Sequence, residues 1–224
     1  MNSMEIRKGC FCMRQILCFG DSNTYGYVPG TGKRYPWGVR WTSILNEMLG
    51  MQEYRVIEEG LCGRTTVYED VTRRNRDGSK VLPVVLESQG NCDLVIIMLG
   101  TNDCKTSYRA SAEEIGEGMR KLIRQVRTYS GSSEILIMAP IHLGDGVWEK
   151  GYDTEFGEKS LGVSWRLGEV YRNVAKQEGV FFLNAADYAQ PSAVDREHLD
   201  PEGHRRLAEA VYESLRNWGF VSDI

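Results

Sequence analysis

Four short segments of this chain carry the residue types that acyl transfer needs. Gly20-Asp21-Ser22-Asn23-Thr24, Gly60-Leu61-Cys62-Gly63-Arg64 and Gly100-Thr101-Asn102-Asp103 each follow a candidate strand, and Asp195-Arg196-Glu197-His198 stands near the C-terminal end. Transfer of an acyl group to a hydroxyl takes a nucleophile, a base within hydrogen-bond reach and a carboxylate that orients the base. It also takes donors aimed at the oxyanion that develops in the transition state. Ser22 is the candidate nucleophile, His198 the base and Asp195 the orienting carboxylate. Gly63 offers an unobstructed backbone N–H and Asn102 a side-chain amide, and the Ser22 N–H completes a set of three oxyanion donors. Asp21, Thr101 and His142, which follows Pro140-Ile141, are read as substrate contacts. Each piece alone has a plainer reading. Asp-Ser after a strand is a common helix cap or turn, and His204 reads as a structural or surface group.

These segments need a scaffold that brings them to one place. Ile16-Leu17-Cys18-Phe19, Arg55 to Glu59, Asp93 to Leu99, Glu134 to Ala139 and Val180 to Leu183 read as short strands without polar alternation. Between them, helical spacing of apolar residues runs over Trp37 to Leu49, Val81 to Leu86 (weakened by Pro83), Glu113 to Tyr129 and Leu161 to Glu178. Asp200-Pro201-Glu202-Gly203 opens a last helix that runs to about Asn217, with Asp200 as N-cap. Five apolar strands alternating with helices predict an α/β domain: a three-layer α/β/α sandwich on a five-stranded parallel sheet. In such sheets ligands bind beyond the carboxyl ends of the strands, where the first three segments fall. No linker divides the chain. Residues 1–14 are expected to be a poorly ordered leader, and residues 15–224 a single domain.

Composition narrows the class. The chain has 224 residues, 27 Lys and Arg against 31 Asp and Glu, a formal net charge of -4 and 42% hydrophobic residues. That is an ordinary globular composition. The mild acidity gives no reason to expect nucleic acid, and the basic run Arg73-Arg74-Asn75-Arg76 is read as a solvated loop. No apolar stretch approaches the ~20 residues that span a bilayer, so no membrane partner is expected. Cys10, Cys12, Cys18, Cys62, Cys92 and Cys104 show no zinc-site spacing. Without an export signal, reduced thiols and a cytoplasmic location are the expectation.

The blocks resemble those of the SGNH hydrolases, also called the GDSL esterase/lipase superfamily. Gly20-Asp21-Ser22, Gly63, Gly100-Thr101-Asn102-Asp103 and Asp195-Arg196-Glu197-His198 match its four blocks in order. ILCFGDSNTYG, VIEEGLCGRTT and DLVIIMLGTND look like the bacterial arylesterase/acyltransferase branch. The resemblance implies a flavodoxin-like fold, a serine esterase for small or short-acyl esters with some capacity for acyl transfer, and no metal or cofactor. It also implies that Ser22, Asp195 and His198 form a triad, that Ser22, Gly63 and Asn102 form the oxyanion hole, and that a homo-oligomer is a reasonable expectation. There are departures. Asn23 stands where Leu is frequent, Tyr25 and Tyr27 stand where related arylesterases carry Trp, and the segment from His142 to Ser160 lacks their proline-rich character.

Two other readings follow. A carbohydrate O-deacetylase of the same superfamily could stack sugar rings on Trp37, Trp148 or Trp165. A metal-dependent phosphoesterase could use Asp21, Asp103, Asp195, His142 and His198 as ligands. The spacing lacks a compact ligand pair, however, and Gly and Asn in the middle blocks suit an oxyanion hole better.

Overall fold

A computed structural model describes residues 13–221. Its strands are β1 (Arg14–Gly20), β2 (Tyr54–Gly60), β3 (Leu94–Met98), β4 (Glu134–Ala139) and β5 (Phe181–Asn184). They form one parallel sheet in the order β2-β1-β3-β4-β5. The helices are α1 (Ser22–Tyr25), α2 (Trp41–Leu49), α3 (Gly78–Gln89), α4 (Ala112–Tyr129), α5 (Glu158–Glu178) and α6 (Pro201–Asn217).

Alternate strand residues point to opposite faces, so each apolar run feeds two cores. Leu17, Phe19, Val95, Ile97, Ile135 and Ile137 pack against Leu82 of α3, Leu122 of α4 and Leu167 of α5. Ile16, Cys18, Leu94, Ile96, Leu136 and Met138 pack against Trp41 and Leu45 of α2 and Leu207 and Val211 of α6. The result is the expected α/β/α sandwich. In α4, Ile115, Met119, Leu122, Ile123 and Val126 are all fully buried. Truncation of such a side chain costs about 2–5 kcal/mol.

Helix starts differ from the periodicity. Trp37 and Val39 have helical spacing with α2 but lie in turns, because Gly38 takes φ +81° and Arg40 is extended as N-cap. The α3 helix starts three residues before Val81 on the Asp77 cap and runs through Pro83. Proline cannot supply the N–H that would reach the Ser79 carbonyl. The Gln125 amide of α4 donates to that oxygen instead, at 2.7 Å. The last helix has the expected Asp200 cap, which accepts from the Gly203 N–H at 2.7 Å.

Arg14 begins β1, inside the segment read as a leader. Residues 1–12, including Cys10 and Cys12, lie outside the described residues. Cys18, Cys62, Cys92 and Cys104 are free thiols. No helix among the described residues is long and apolar enough to cross a membrane.

The strand order reverses direction between β1 and β3. The segments leaving these neighbours diverge and open a crevice at their carboxyl ends. Gly20 and Gly60 pair across β1 and β2. A Cβ on Gly60 would lie 2.1 Å from the Tyr25 nitrogen, so glycine lets α1 lie close over the strand ends.

Candidate active site

Ser22 is the first residue of α1, placed by the Asp21 cap directly after β1. Its Oγ lies 2.9 Å from His198 Nε2, and His198 Nδ1 lies 2.8 Å from Asp195 Oδ2. The backbone N–H groups of Glu197 and His198 donate to Asp195 Oδ1 at 3.1 and 3.0 Å, and the Gly30 N–H donates to Oδ2 at 3.3 Å. These bonds fix the carboxylate, and the carboxylate fixes the imidazole.

Asn23 joins the loop that carries His198 to the start of α1. Its Oδ1 accepts from the Leu199 N–H at 2.9 Å, and its Nδ2 donates to the Glu197 carbonyl at 3.4 Å. One amide thus brackets the backbone on both sides of His198. The Tyr27 ring lies over the imidazole with ring centres 4.4 Å apart.

The donors sit on the neighbouring loops. Gly63 has φ +83°, a left-handed conformation that favours glycine, and the Arg73 guanidinium lies close beside it. One N–H of the Asn102 amide goes to the Arg64 carbonyl at 3.2 Å, which leaves its second hydrogen available. The Ser22 and Gly63 N–H groups find no acceptor among the described residues. Ser22, Gly63 and Asn102 line one cavity of about 420 Å³ together with Tyr27, Arg73, Lys105, Tyr152, Asp195, Glu197 and His198.

Beneath this cavity lies a buried polar layer. Arg64 donates to the Gly20 carbonyl at 2.9 Å and to the Glu59 carbonyl, joining the ends of β1 and β2. Burial lowers its pKa to about 10 against the pull of Glu59 and Asp21. Asp103 accepts from the Thr66 N–H at 2.9 Å and from its hydroxyl. Burial raises Asp103 to about 7, although Thr66 opposes the rise. Burial likewise raises Asp21 to about 6, opposed by the Asn23 N–H, the His198 charge, Thr101 and Arg64.

At His198 burial lowers the pKa, but the hydrogen bond its Nδ1–H donates to Asp195 and the charges of Glu197, Asp195 and Asp21 outweigh it. The net shift is upward from the ordinary histidine value. Burial tends to raise Asp195, yet its bonds to His198 and to the Glu197 N–H hold it below the ordinary carboxylate range.

The structure therefore gathers Ser22, Asp195, His198, Gly63 and Asn102, and it sets the three residues read as substrate contacts outside the cavity lining. Asp21 and Thr101 are buried and do not line the cavity. Asp21 caps α1, and the close packing of the strand ends covers both residues. His142 lies against Trp165, with ring centres 5.7 Å apart, outside the cavity lining. Trp37, Trp148 and Trp165 do not line it either; Tyr27 and Tyr152 do.

Arg73 does not belong to a merely solvated loop. Its Nε donates to Asp70 at 3.0 Å and its guanidinium edges the cavity, while Arg76 donates to the Cys62 carbonyl at 2.8 Å. His204 is fully buried, and its Nδ1 accepts from the Trp41 N–H at 3.3 Å, at the start of a helix that its N-cap residue Arg40 leaves without a side-chain capping bond. Among the described residues, no three His, Cys, Asp or Glu side chains are grouped to hold a metal ion. The phosphoesterase ligand set is dispersed, with Asp103 bonded to Thr66 and His142 beside Trp165.

A parallel sheet in this order, with such a serine at the carboxyl end of β1, defines a carboxylic ester hydrolase of the SGNH type. Residues 18–206 match the GDSL-like Lipase/Acylhydrolase family, and the chain belongs to that family. No curated protein matches the chain in sequence.

Solved structures are similar along most of the chain. Est24, a carbohydrate acetylesterase from Sinorhizobium meliloti, is 36% identical with a TM-score of 0.85, covering 92% of this chain and 99% of its own. The aryl esterase of M. smegmatis is 34% identical with a TM-score of 0.86, covering 91% of this chain and 99% of its own. A further structure is 43% identical with a TM-score of 0.88, covering 92% of this chain and 98% of its own.

Proposed function

We propose that this protein is a serine esterase for small or short-acyl carboxylic esters, working through Ser22, His198 and Asp195 by way of an acyl-enzyme. The observation that carries this reading is the hydrogen-bonded chain from Asp195 through His198 to Ser22, opening on a cavity of about 420 Å³. That volume is near the small end of the range for ligand sites.

In the first half-reaction Ser22 Oγ attacks the ester carbonyl carbon and its proton passes to His198 Nε2. The carbonyl oxygen, now negative, is held by the Ser22 and Gly63 N–H groups and the Asn102 amide. Collapse breaks the bond to the alcohol oxygen, which takes the proton from Nε2. In the second half-reaction a water gives its proton to Nε2 and attacks the acyl carbon. The proton then returns to Ser22 Oγ as the acid leaves. An alcohol in place of that water gives acyl transfer. Neither half needs an added redox partner or cofactor.

A second reading has an observation in its favour. The cavity wall carries Arg73, Lys105, Asp153, Glu155 and Glu197, a polar surface suited to a hydroxylated alcohol and hence to carbohydrate O-deacetylation. Rates on acetylated xylo-oligosaccharides and on aryl acetates separate the two.

The decisive variant is Ser22→Ala. It is expected to lower ester hydrolysis by several orders of magnitude with the fold intact. A fluorophosphonate should label Ser22 in the parent. Retention of more than about a tenth of parental turnover would place the nucleophile elsewhere.

A further inference from the structure

We infer that Glu197 is a specificity-determining residue that grips the alcohol half of the ester, accepting a hydrogen bond from a hydroxyl next to the reacting oxygen. This inference rests on the proposed ester hydrolysis and adds a substrate class to it. In sequence Glu197 is only the spacer between Asp195 and His198. In the structure its carboxyl turns to the cavity wall, and the residue is 6% exposed.

Its Oε1 lies 3.8 Å from His198 Nε2, the same nitrogen that stands 2.9 Å from Ser22 Oγ. The departing alcohol oxygen must come within about 2.6–3.2 Å of that nitrogen to collect its proton. The atoms bonded to that oxygen are thereby brought against the Glu197 carboxyl.

The protein leaves this carboxyl without a hydrogen bond to any described residue. The nearby ammonium of Lys105 is paired with Glu155 at 2.5 Å. The carboxyl opens on the cavity, so a ligand O–H there can supply the hydrogen bond that the protein does not. Burial raises Glu197 to about 7, with His198 and Lys105 pulling it down and Asp153 and Asp195 pushing it up. Above about pH 7 Glu197 is largely a carboxylate, which accepts hydrogen bonds and donates none.

The matching ligand is an alcohol with a second O–H beside the ester, a polyol or sugar monoester. An alkyl alcohol leaves the carboxyl unpaired, and an anionic alcohol is repelled. Glu197 also raises the His198 pKa, but that effect is common to every ester and cannot distinguish one alcohol from another.

Two acetates that differ by one hydroxyl test this: 2-hydroxyethyl acetate and ethyl acetate. The readout is the ratio of their kcat/KM values at the upper pH plateau, so any general loss cancels. The parent should favour the hydroxylated ester by about tenfold or more, the worth of one hydrogen bond to a charged group. Glu197→Leu should bring the ratio to about one, and Glu197→Gln, whose amide oxygen still accepts, should fall between. A parental ratio near one overturns the inference and leaves the esterase intact. So does a Glu197→Leu or Glu197→Gln ratio equal to or above the parent's. A parent that hydrolyses neither acetate overturns the esterase reading, and this inference with it.

Discussion

The side-chain amide of Asn102 donates to the backbone carbonyl of Arg64 across 3.2 Å, tying the loop after β3 to the residue that follows Gly63. The two proposed oxyanion donors are thus set at a fixed spacing before any substrate arrives. The bond from Thr66 to Asp103 joins the same loops a second time. Such preorganisation makes a donor count more in the transition state than in the ground state.

Asn102→Ala is therefore expected to lower kcat by ~10²–10³ with KM little changed. Steady-state kinetics on an aryl acetate check this. A raised KM at parental kcat would make Asn102 a ground-state contact.

The pH dependence follows from His198. Only the neutral ring accepts the Ser22 proton, and the ring's pKa stands above the ordinary histidine value. The value of kcat/KM should rise with pH through one ionisation above about 6.5 and then level. Asp195→Asn removes both the orienting acceptor and a charge that favours the imidazolium. The plateau should fall, and the ionisation should move down in pH. A pH–rate profile of parent and variant measures both.

The bond from Gln125 to Ser79 predicts a coupling between helices. Gln125→Ala leaves the Ser79 carbonyl without a partner and should cost about 1–3 kcal/mol. In a Pro83→Ala background the new N–H can reach that carbonyl, and the cost of Gln125→Ala should fall below about 1 kcal/mol. Urea unfolding of the four proteins closes the cycle; equal costs in both backgrounds would break the proposed link.

Acid should weaken the α2–α6 contact through His204. Burial lowers this histidine from 6.5 to about 4 in the folded protein, with Arg40 and His198 adding to the shift and Asp200 opposing it. As pH falls below about 6.5 the unfolded chain takes a proton that the folded chain refuses, so stability drops until about pH 4 and then levels. The His204 contribution to this loss is up to ~3 kcal/mol. The gap in unfolding free energy between the parent and His204→Gln should shrink by that order between pH 7 and pH 4. A constant gap would show that His204 does not titrate this way.

Much of this architecture is legible in the sequence because the signals are local. Leu94 to Met98 is apolar without alternation because both faces of β3 are covered, and Asp200-Pro201 carries its cap chemistry within a few residues. Ser22, Gly63, Asn102 and His198 follow from their places after strands or near the chain's end. The less legible positions depend on distant packing. Pro83 weakens a helix signal until Gln125, on another helix, serves the freed carbonyl. Asp21 and Thr101 lie beside site residues in sequence, yet packing at the strand ends covers them. Glu197 is indistinguishable from a spacer until the loop's path turns it into the cavity. Asn23 shows its use only when Leu199 and Glu197 arrive beside it.

Ser22 and His198 are 176 positions apart. During synthesis the serine leaves the ribosome well before the histidine, so the two cannot meet until the segment between them is out. A chain cut between them holds the proposed nucleophile without its proposed base. On the proposed mechanism reactivity switches on when the segment around His198 docks between Asn23 and Tyr27. Turnover is therefore a reporter of completed folding, and a nascent or truncated product lacking that segment should be inert whatever its sheet has achieved.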